Sequence, residues 1–122
     1  MQSVAWKIAA IADADYHVMI YNGQLDIIVA APLTMEWVSQ LRWKGADELR
    51  RATRKVWKVD QHDMEIAGYI KAANQNRFVL ATIRNAGHMV PYDQPRAMLD
   101  LLERFLSNVT AHEENKHASQ WI

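Results

Sequence analysis

The sequence contains no cysteine, only four glycines and three prolines, and no excess of charge of either sign. Without cysteine there is no disulfide framework, and the chain neither requires nor excludes an oxidising compartment. Fourteen basic and fourteen acidic side chains leave a formal net charge of zero. The composition therefore gives no indication of a nucleic-acid partner or of an anionic membrane surface.

Long apolar runs are also missing. No stretch approaches the roughly 20 residues that are needed to span a bilayer, and Met1–Lys7 lacks the basic start and apolar block of a signal peptide. The scattered glycines do not form a phosphate-binding loop. Four of the histidines show no metal-ligand spacing with one another, so we expect neither a metal nor a cofactor; they are His17, His62, His112 and His117.

A further absence concerns catalysis. One common catalytic arrangement presents a serine nucleophile in a strained Gly-x-Ser-x-Gly turn above a sheet. None of the serines of this chain lies in such a turn; they are Ser3, Ser39, Ser107 and Ser119. The chain therefore lacks a nucleophile of this kind.

Half of the 122 residues are hydrophobic, which is enough for one modest core. Two apolar, β-rich runs, at residues 18–21 and 78–83, each end at a glycine-containing turn. The first turn is followed by Asp26 and the second by His88. Since loops that leave strand ends gather at one edge of an α/β sheet, we expect the two side chains to converge. Acid before histidine is also their order in the α/β-hydrolase triad.

The remaining pattern predicts an α/β arrangement of one parallel strand, a hairpin and covering helices. Hydrophobic periodicity indicates these elements: a helix at Gln2 to about Ala12, a strand at 17–21, a helical stripe from Ile27 to Leu41, an antiparallel hairpin of 65–73 and 77–83 at a sheet edge, and a helix after Pro95 that Asp93 caps. The charged residues 46–55 predict a solvated helix or a surface excursion. Trp43 and Trp57 flank it, and we expect them to pin it to the core, with a substrate-lining role as the alternative.

Residues 21–29 and 87–95 resemble the sequences around the catalytic Asp and His of serine carboxypeptidases, nearest to the vitellogenic-like branch. Between them, Trp43-Lys44-Gly45, Val56-Trp57-Lys58 and Ala67–Ile70 are similar to that family in kind and order. The resemblance runs over residues 1–109 and implies the C-terminal part of an α/β-hydrolase domain, incomplete on its own. Residues 110–122 predict a polar tail, which we expect to be disordered.

The resemblance implies a serine-type carboxypeptidase that removes C-terminal amino acids from peptides. His88 would be the base and Asp26 the residue that orients it, as in other triads; a buried core histidine and a helix-capping aspartate are the alternatives. Met89 matches a position near the pocket for the departing residue, although methionine is also a common core filler. The nucleophile, the oxyanion hole and the carboxylate-recognition residues belong to the N-terminal part of the family. We therefore do not expect this chain to hydrolyse peptides alone.

The implied partners are a peptide substrate and the N-terminal portion that carries the serine. The family implies a secreted, lysosomal or vacuolar location, and Asn108-Val109-Thr110 is a glycosylation sequon, which can also occur by chance. Two other functions remain open. One is a non-catalytic protein that binds peptides or a full-length relative, and the other is part of a carboxypeptidase-like acyltransferase.

Two structural expectations follow. The strand at 17–21 should leave one edge unpaired, beside an exposed apolar patch, because a complete hydrolase would supply neighbours on both sides. If Asp26 and His88 are partners, a carboxylate oxygen should lie roughly 2.6–3.2 Å from an imidazole nitrogen. A separation of more than about 6 Å would exclude the pair.

Overall fold

The computed structural model describes residues 2–25 and 31–113. Helices and strands follow one another in this order: α1 (Gln2–Asp13), β1 (Val18–Gly23), α2 (Ala31–Ser39), α3 (Ala46–Arg51), β2 (Lys55–Trp57), β3 (Gly68–Ala73), β4 (Phe78–Ile83), α4 (Val90–Asp93) and α5 (Pro95–Glu113). The predicted first helix, first strand, hairpin strands and last helix are all confirmed. Of the predicted stripe from Ile27 to Leu41, α2 is confirmed, and residues 26–30 lie outside the described residues.

The strands form one four-stranded sheet in the order β1-β4-β3-β2. β1 runs parallel to β4 with Val18 opposite Phe78 and Gly23 opposite Ile83, while β3 is antiparallel to both of its neighbours. Because β1 and β4 are parallel, their C-terminal ends reach the same edge of the sheet. The loops towards Asp26 and His88 therefore leave from adjacent strand ends.

The predicted hairpin is confirmed as β3 and β4, but its predicted place at the sheet edge is wrong. β4 lies between β1 and β3, and the short strand β2 covers the other side of β3. β2 has only three residues and follows a charged segment, so it gives almost no periodic signal in the sequence. The hairpin turn, Asn74–Asn76, has left-handed φ angles of 55, 57 and 64°, a conformation that asparagine adopts more readily than most residues.

Helices cover both faces of the sheet, and side chains of β4 pack against the helices on each face. Successive strand side chains point to opposite faces, and those of β4 divide between two apolar clusters. Val79, Ala81 and Ile83 pack with α4 and α5, whereas Phe78 and Leu80 pack with α1, α2 and α3. This two-sided burial explains why β4 is apolar at nearly every position.

The two tryptophans that flank the charged excursion fix it to the core, as predicted. The Trp43 ring stacks on Phe78 with the ring centroids 4.9 Å apart. Trp57 is 2% exposed, and its Nε1 donates a hydrogen bond of 2.8 Å to Asp100 Oδ2. The excursion itself forms the exposed helix α3, which buries Leu49, before the chain enters β2.

The last helix is longer than the sequence predicts. α5 continues through Glu113, so the prediction of a disordered tail is wrong for residues 110–113; residues 114–122 lie outside the described part of the chain. A tertiary contact accounts for the extension, because His112 Nδ1 lies 3.1 Å from Nε2 of His17 at the start of β1. Across residues 2–25 and 31–113, no helix is long and apolar enough to cross a membrane.

The expected open strand edge is confirmed within the described residues. β1 is the first strand of the sheet and pairs only with β4 among the strands described. Large apolar side chains are exposed on β1 and on the elements next to it in the sequence, namely Val4, Trp6, Ile11, Tyr16, Tyr21, Leu25 and Leu33. An open strand edge presents unpaired backbone N–H and C=O groups to which another strand can add.

Candidate active site

The candidate site lies where β1 and β4 end, an edge that we call the site rim. It comprises the C-terminal ends of these strands, residues 24–25 and the loop 84–89. The start of β3 lies at the same edge, because Gly68 is opposite Ile83. Arg84 N donates a hydrogen bond of 2.9 Å to Ala67 O and so ties the start of the loop to the approach to β3.

Backbone hydrogen bonds join the two predicted catalytic loops. Gln24 N donates to Ile83 O and Leu25 N donates to Ala86 O, both at 2.8 Å. Leu25 directly precedes Asp26 in the sequence, and Ala86 is two residues before His88. The segments that lead into the acid and the histidine are therefore held side by side.

Gly23 permits this close approach. A Cβ built on Gly23 would collide with the carbonyl oxygens of Ala86 and Gly87, and backbone atoms cannot turn aside as a flexible side chain can. Its φ is negative, so the requirement for glycine is steric contact rather than backbone conformation. The sequence marks Gly23 as a turn residue but does not show which segment crosses it.

The loop that carries His88 is short and fixed at its two ends. Asn85 adopts a left-handed φ of 57° as the chain leaves β4. Ala86 is fully buried and Val90 is 1% exposed, whereas His88 between them is exposed. The alternative of a buried core histidine is thus wrong.

Asp93 does not do what the sequence predicts. It was expected to cap the helix after Pro95, but it lies in α4 and its Oδ2 accepts a hydrogen bond of 2.8 Å from Gly87 N. The neighbouring Gln94 donates from Nε2 to Asn85 O at 3.2 Å. Both side chains therefore hold the histidine loop rather than the start of α5.

Asp26 lies outside the described residues, so the distance between its carboxylate and the imidazole of His88 stays a prediction. Met89 is 64% exposed, which excludes the alternative that it fills the core of this chain. Its role at the pocket for the departing residue also stays a prediction. The structure brings Leu25, His88 and Met89 to one rim.

Glycosylation of Asn108 stays a prediction, and the fold argues against it. Asn108 lies within α5 and is 1% exposed. Its Nδ2, the atom that would carry the sugar, donates a hydrogen bond of 2.7 Å to Asn76 O. A glycan at this atom is incompatible with the packing of α5 on the hairpin turn.

A pair of histidines at the opposite edge of the sheet was missed by sequence reasoning. His17 and His112 are stacked with ring centroids 4.8 Å apart, and Phe105 meets His17 edge-on. Burial lowers the pKa of His17 below its usual value, the charges of His112 and Arg77 lower it further, and Glu113 opposes them. The residues are too far apart in the sequence for any spacing rule to pair them.

A surface cleft of about 310 Å³ lies beside the site rim. Its lining residues are Val59, Asp63, Met64, Glu65, Ile66, Ala67, Gln94, Arg96 and Ala97. Arg96 binds both carboxylate oxygens of Asp63, at 2.9 and 3.2 Å, and these hydrogen bonds lower the pKa of Asp63. Asp63 and Arg96 thus form an ion pair in the cleft, whereas Glu65 lies 3.5 Å from Arg84.

Comparison with known proteins gives a consistent result. The serine carboxypeptidase family matches residues 1–108. The venom serine carboxypeptidase of Apis mellifera is 52% identical over 108 residues, which cover 88% of this chain and 22% of that protein. The vitellogenic carboxypeptidase of Aedes aegypti is 48% identical over 90 residues, which cover 74% and 18%. The chain spans about a fifth of the length of these relatives.

A solved structure shows the same fold. The prohormone-processing carboxypeptidase Kex1(Δ)p of Saccharomyces cerevisiae superposes with a TM-score of 0.61 at 22% identity, over 79% of this chain and 21% of that chain. Together with the mixed sheet covered by helices on both faces, this likeness confirms the predicted fold class, a part of an α/β-hydrolase fold.

Proposed function

Because the chain belongs to the serine carboxypeptidase family, we propose that it supplies Asp26 and His88 to a serine-type carboxypeptidase that releases C-terminal amino acids from peptides. The observation that carries this proposal is the pairing of the two loops at the site rim. Leu25 N donates to Ala86 O, so the residue before the acid is bonded to the loop of the histidine. A triad needs its acid and its base adjacent.

In this mechanism His88 takes the proton of a serine hydroxyl as the serine attacks the scissile carbonyl. It then returns the proton to the nitrogen of the departing amino acid. Asp26 accepts a hydrogen bond from the other ring nitrogen, which fixes the tautomer and stabilises the imidazolium. The exposure of His88 supports this role, because the base needs an open approach to a nucleophile from elsewhere in the protein.

We assign Met89 to the pocket for the departing residue. It follows the histidine directly and is 64% exposed at the same rim. An unbranched, polarizable side chain at this place accommodates apolar side chains of different shape. Truncation of Met89 should raise the KM for substrates with large C-terminal residues. The KM for substrates with small C-terminal residues should change less.

The partner of this chain is the portion of the protein that carries the nucleophile. The open edge of β1 and the exposed apolar residues around it support a partner at this surface, because added strands pair through the backbone at such an edge. The oxyanion donors and the nucleophile supply much of the rate of a hydrolase. The 122-residue chain alone is therefore expected to be inactive on peptides.

We propose a secreted, lysosomal or vacuolar location. The support is the kind of relative that the chain matches, among which one is named as a venom enzyme and another as a carboxypeptidase Y. Glycosylation at Asn108 is not part of the proposal, since that side chain is buried.

The test is release of C-terminal amino acids from peptides by a full-length protein that contains this chain and an upstream Gly-x-Ser-x-Gly sequence. Asp26→Asn should keep the fold and lower turnover on the order of 10⁴-fold, because the histidine is then held in the wrong tautomer. Near-normal turnover of this variant would remove Asp26 from the triad. Absence of an upstream nucleophile would favour a non-catalytic binding protein instead.

A further inference from the structure

The loop that carries His88 is held from α4 by two side chains. Asp93 Oδ2 accepts a hydrogen bond from Gly87 N at 2.8 Å, and Gln94 Nε2 donates to Asn85 O at 3.2 Å. The carboxylate therefore binds the N–H of Gly87, the residue directly before the histidine.

The short helix α4 delivers Asp93 to this position. Asp93 N donates to Met89 O at 3.0 Å and Gln94 N donates to Val90 O at 2.8 Å. The side chain of Val90 is 1% exposed and anchors the turn in the core. The chain thus passes His88, makes one helical turn, and returns a carboxylate to the loop that it has just left.

The hydrogen bond from Gly87 N to Asp93 restrains the backbone at the residue before His88. Gly87 stands between Ala86, which is fully buried, and the exposed His88. Glycine has more backbone freedom than any other residue, so rotation at Gly87 would redirect the following imidazole. A hydrogen bond to an ionised acceptor is roughly twice as strong as a neutral one and restricts that rotation.

We propose that Asp93 is a positioning residue, which fixes the direction of His88 through the N–H of Gly87. This inference rests on the proposed catalytic role of His88. A general base must lie within hydrogen-bond reach of the proton that it takes, and a displacement of about 1 Å can lower the rate about 10²-fold. Asp93 touches neither the substrate nor the reacting atoms in this scheme.

The experiment compares variants of the full-length protein by kcat and KM on a peptide substrate, with kcat expressed per folded molecule. Asp93→Ala should lower kcat roughly 10- to 100-fold and leave KM within about a factor of two, because the binding contacts are unchanged. Asp93→Asn should keep most of the turnover, since its amide oxygen can still accept from Gly87. Asp47→Ala is the matched control, because it removes another exposed carboxylate, which pairs with Arg50 on α3.

A second measurement does not depend on catalysis. Exchange of the Gly87 amide hydrogen should quicken in Asp93→Ala and remain unchanged in Asp47→Ala. If Asp93→Ala does not fold, Asp93→Glu displaces the carboxylate by one methylene and should lower kcat with KM unchanged.

The two proposals fail differently. Normal turnover of His88→Ala would overturn the proposed function. An inactive His88→Ala together with normal kcat in Asp93→Ala, or in Asp93→Glu if the alanine variant is unfolded, would overturn the positioning role alone. Equal losses in Asp93→Asn and Asp93→Ala would also contradict it, because the acceptor oxygen would then not be what matters.

Discussion

The two edges of the sheet are held together in different ways. At the site rim, segments meet backbone to backbone, through Gln24 and Leu25 on one side and Ile83 and Ala86 on the other. We call the opposite edge the far rim; it comprises residues 13–17, 74–77 and 108–113. There, apart from the backbone hydrogen bond of 2.8 Å from Val18 N to Arg77 O, the contacts that join separate elements are made by side chains.

Side-chain contacts at the far rim link several elements at once. Asp15 Oδ1 accepts from Asn74 Nδ2 at 2.9 Å and pairs with Lys44 Nζ at 2.5 Å; the hydrogen bond to Asn74 and the contact with Lys44 lower the pKa of Asp15. Asn108 Nδ2 donates to Asn76 O. The far rim thus joins its elements mainly through polar side chains. The site rim joins the ends of β1 and β4 through the main chain, and the side chains of Asp93 and Gln94 hold the His88 loop from α4.

Histidine-to-alanine substitutions at the two rims should give the largest effects: the one at the site rim should lower turnover, and the one at the far rim should lower stability. In the full-length protein, His88→Ala should lower turnover by at least about 10⁴-fold with little change in unfolding, because it removes the base from an exposed loop. His17→Ala should lower the free energy of unfolding and leave turnover per folded molecule unchanged. Steady-state kinetics and urea unfolding of both variants test this; a large loss of turnover in His17→Ala would contradict the division of roles.

Glycine-to-alanine substitutions compare the two kinds of contact directly. Gly23→Ala places a methyl group against the carbonyl oxygens of Ala86 and Gly87. It should lower the free energy of unfolding by about 3 kcal/mol or more, the upper part of the range for overpacking. The added methyl group of Gly45→Ala meets the ring of Trp43, which is a side chain and not main chain, although it must shift against Phe78 to make room. Urea unfolding of both variants should show the larger loss for Gly23→Ala, and equal losses would contradict a backbone contact at the site rim.

The buried amide of Asn108 should matter for stability and not for glycosylation. Asn108→Ala removes its hydrogen bond to Asn76 O and should lower the free energy of unfolding by about 1–3 kcal/mol. Thr110→Ala is the matched control, because it destroys the same sequon at an exposed position of α5. The free energy of unfolding of Thr110→Ala should equal that of the unsubstituted protein. When both proteins are secreted from eukaryotic cells, their masses should differ only by the mass difference between threonine and alanine. A mass loss of glycan size in Thr110→Ala would contradict burial of Asn108.

The histidine pair at the far rim predicts the smallest effect, a dependence of stability on pH. The folded-state pKa of His17 lies below its usual value of 6.5, so the unfolded chain binds the proton more readily than the folded one. The contribution of His17 is therefore complete above pH 6.5 and is lost as the pH falls through the lowered pKa. Unfolding measured from pH 7.5 to 5 should show a shallower decline in His17→Gln than in the unsubstituted chain. Identical slopes would exclude His17 as the cause.

Sequence alone predicts the parts of this fold that carry strong periodicity. The helix α1, the strand β1, the hairpin and most of α5 follow from apolar spacing, and the order of acid and histidine indicates the site rim. Asp93 illustrates the limit. An aspartate before a helix is typically a cap, and nothing in the sequence shows that α4 will turn it back to Gly87.

The errors share a physical cause, which is that tertiary contacts decide what local patterns leave open. β2 has three residues and forms only because β3 offers it a partner. Residues 110–113 are polar, yet they remain helical where His112 meets His17. Asn108 belongs to a glycosylation sequon in the sequence, but in the fold its side chain is buried and donates a hydrogen bond to Asn76 O. Each of these outcomes joins residues that are distant in the sequence.

The register of the sheet also has a consequence for the order of folding. Phe78 is paired with Ala73 through a tight turn and with Val18 from near the start of the chain. Hairpins close in about 1–10 μs, whereas distant pairings form more slowly because a long loop must first be closed. In pulse-labelling experiments the amides of β3 and β4 should gain protection before those of β1. During synthesis, Val18–Ile20 emerges before residues 78–83 and must remain without its β4 partner until they have been made.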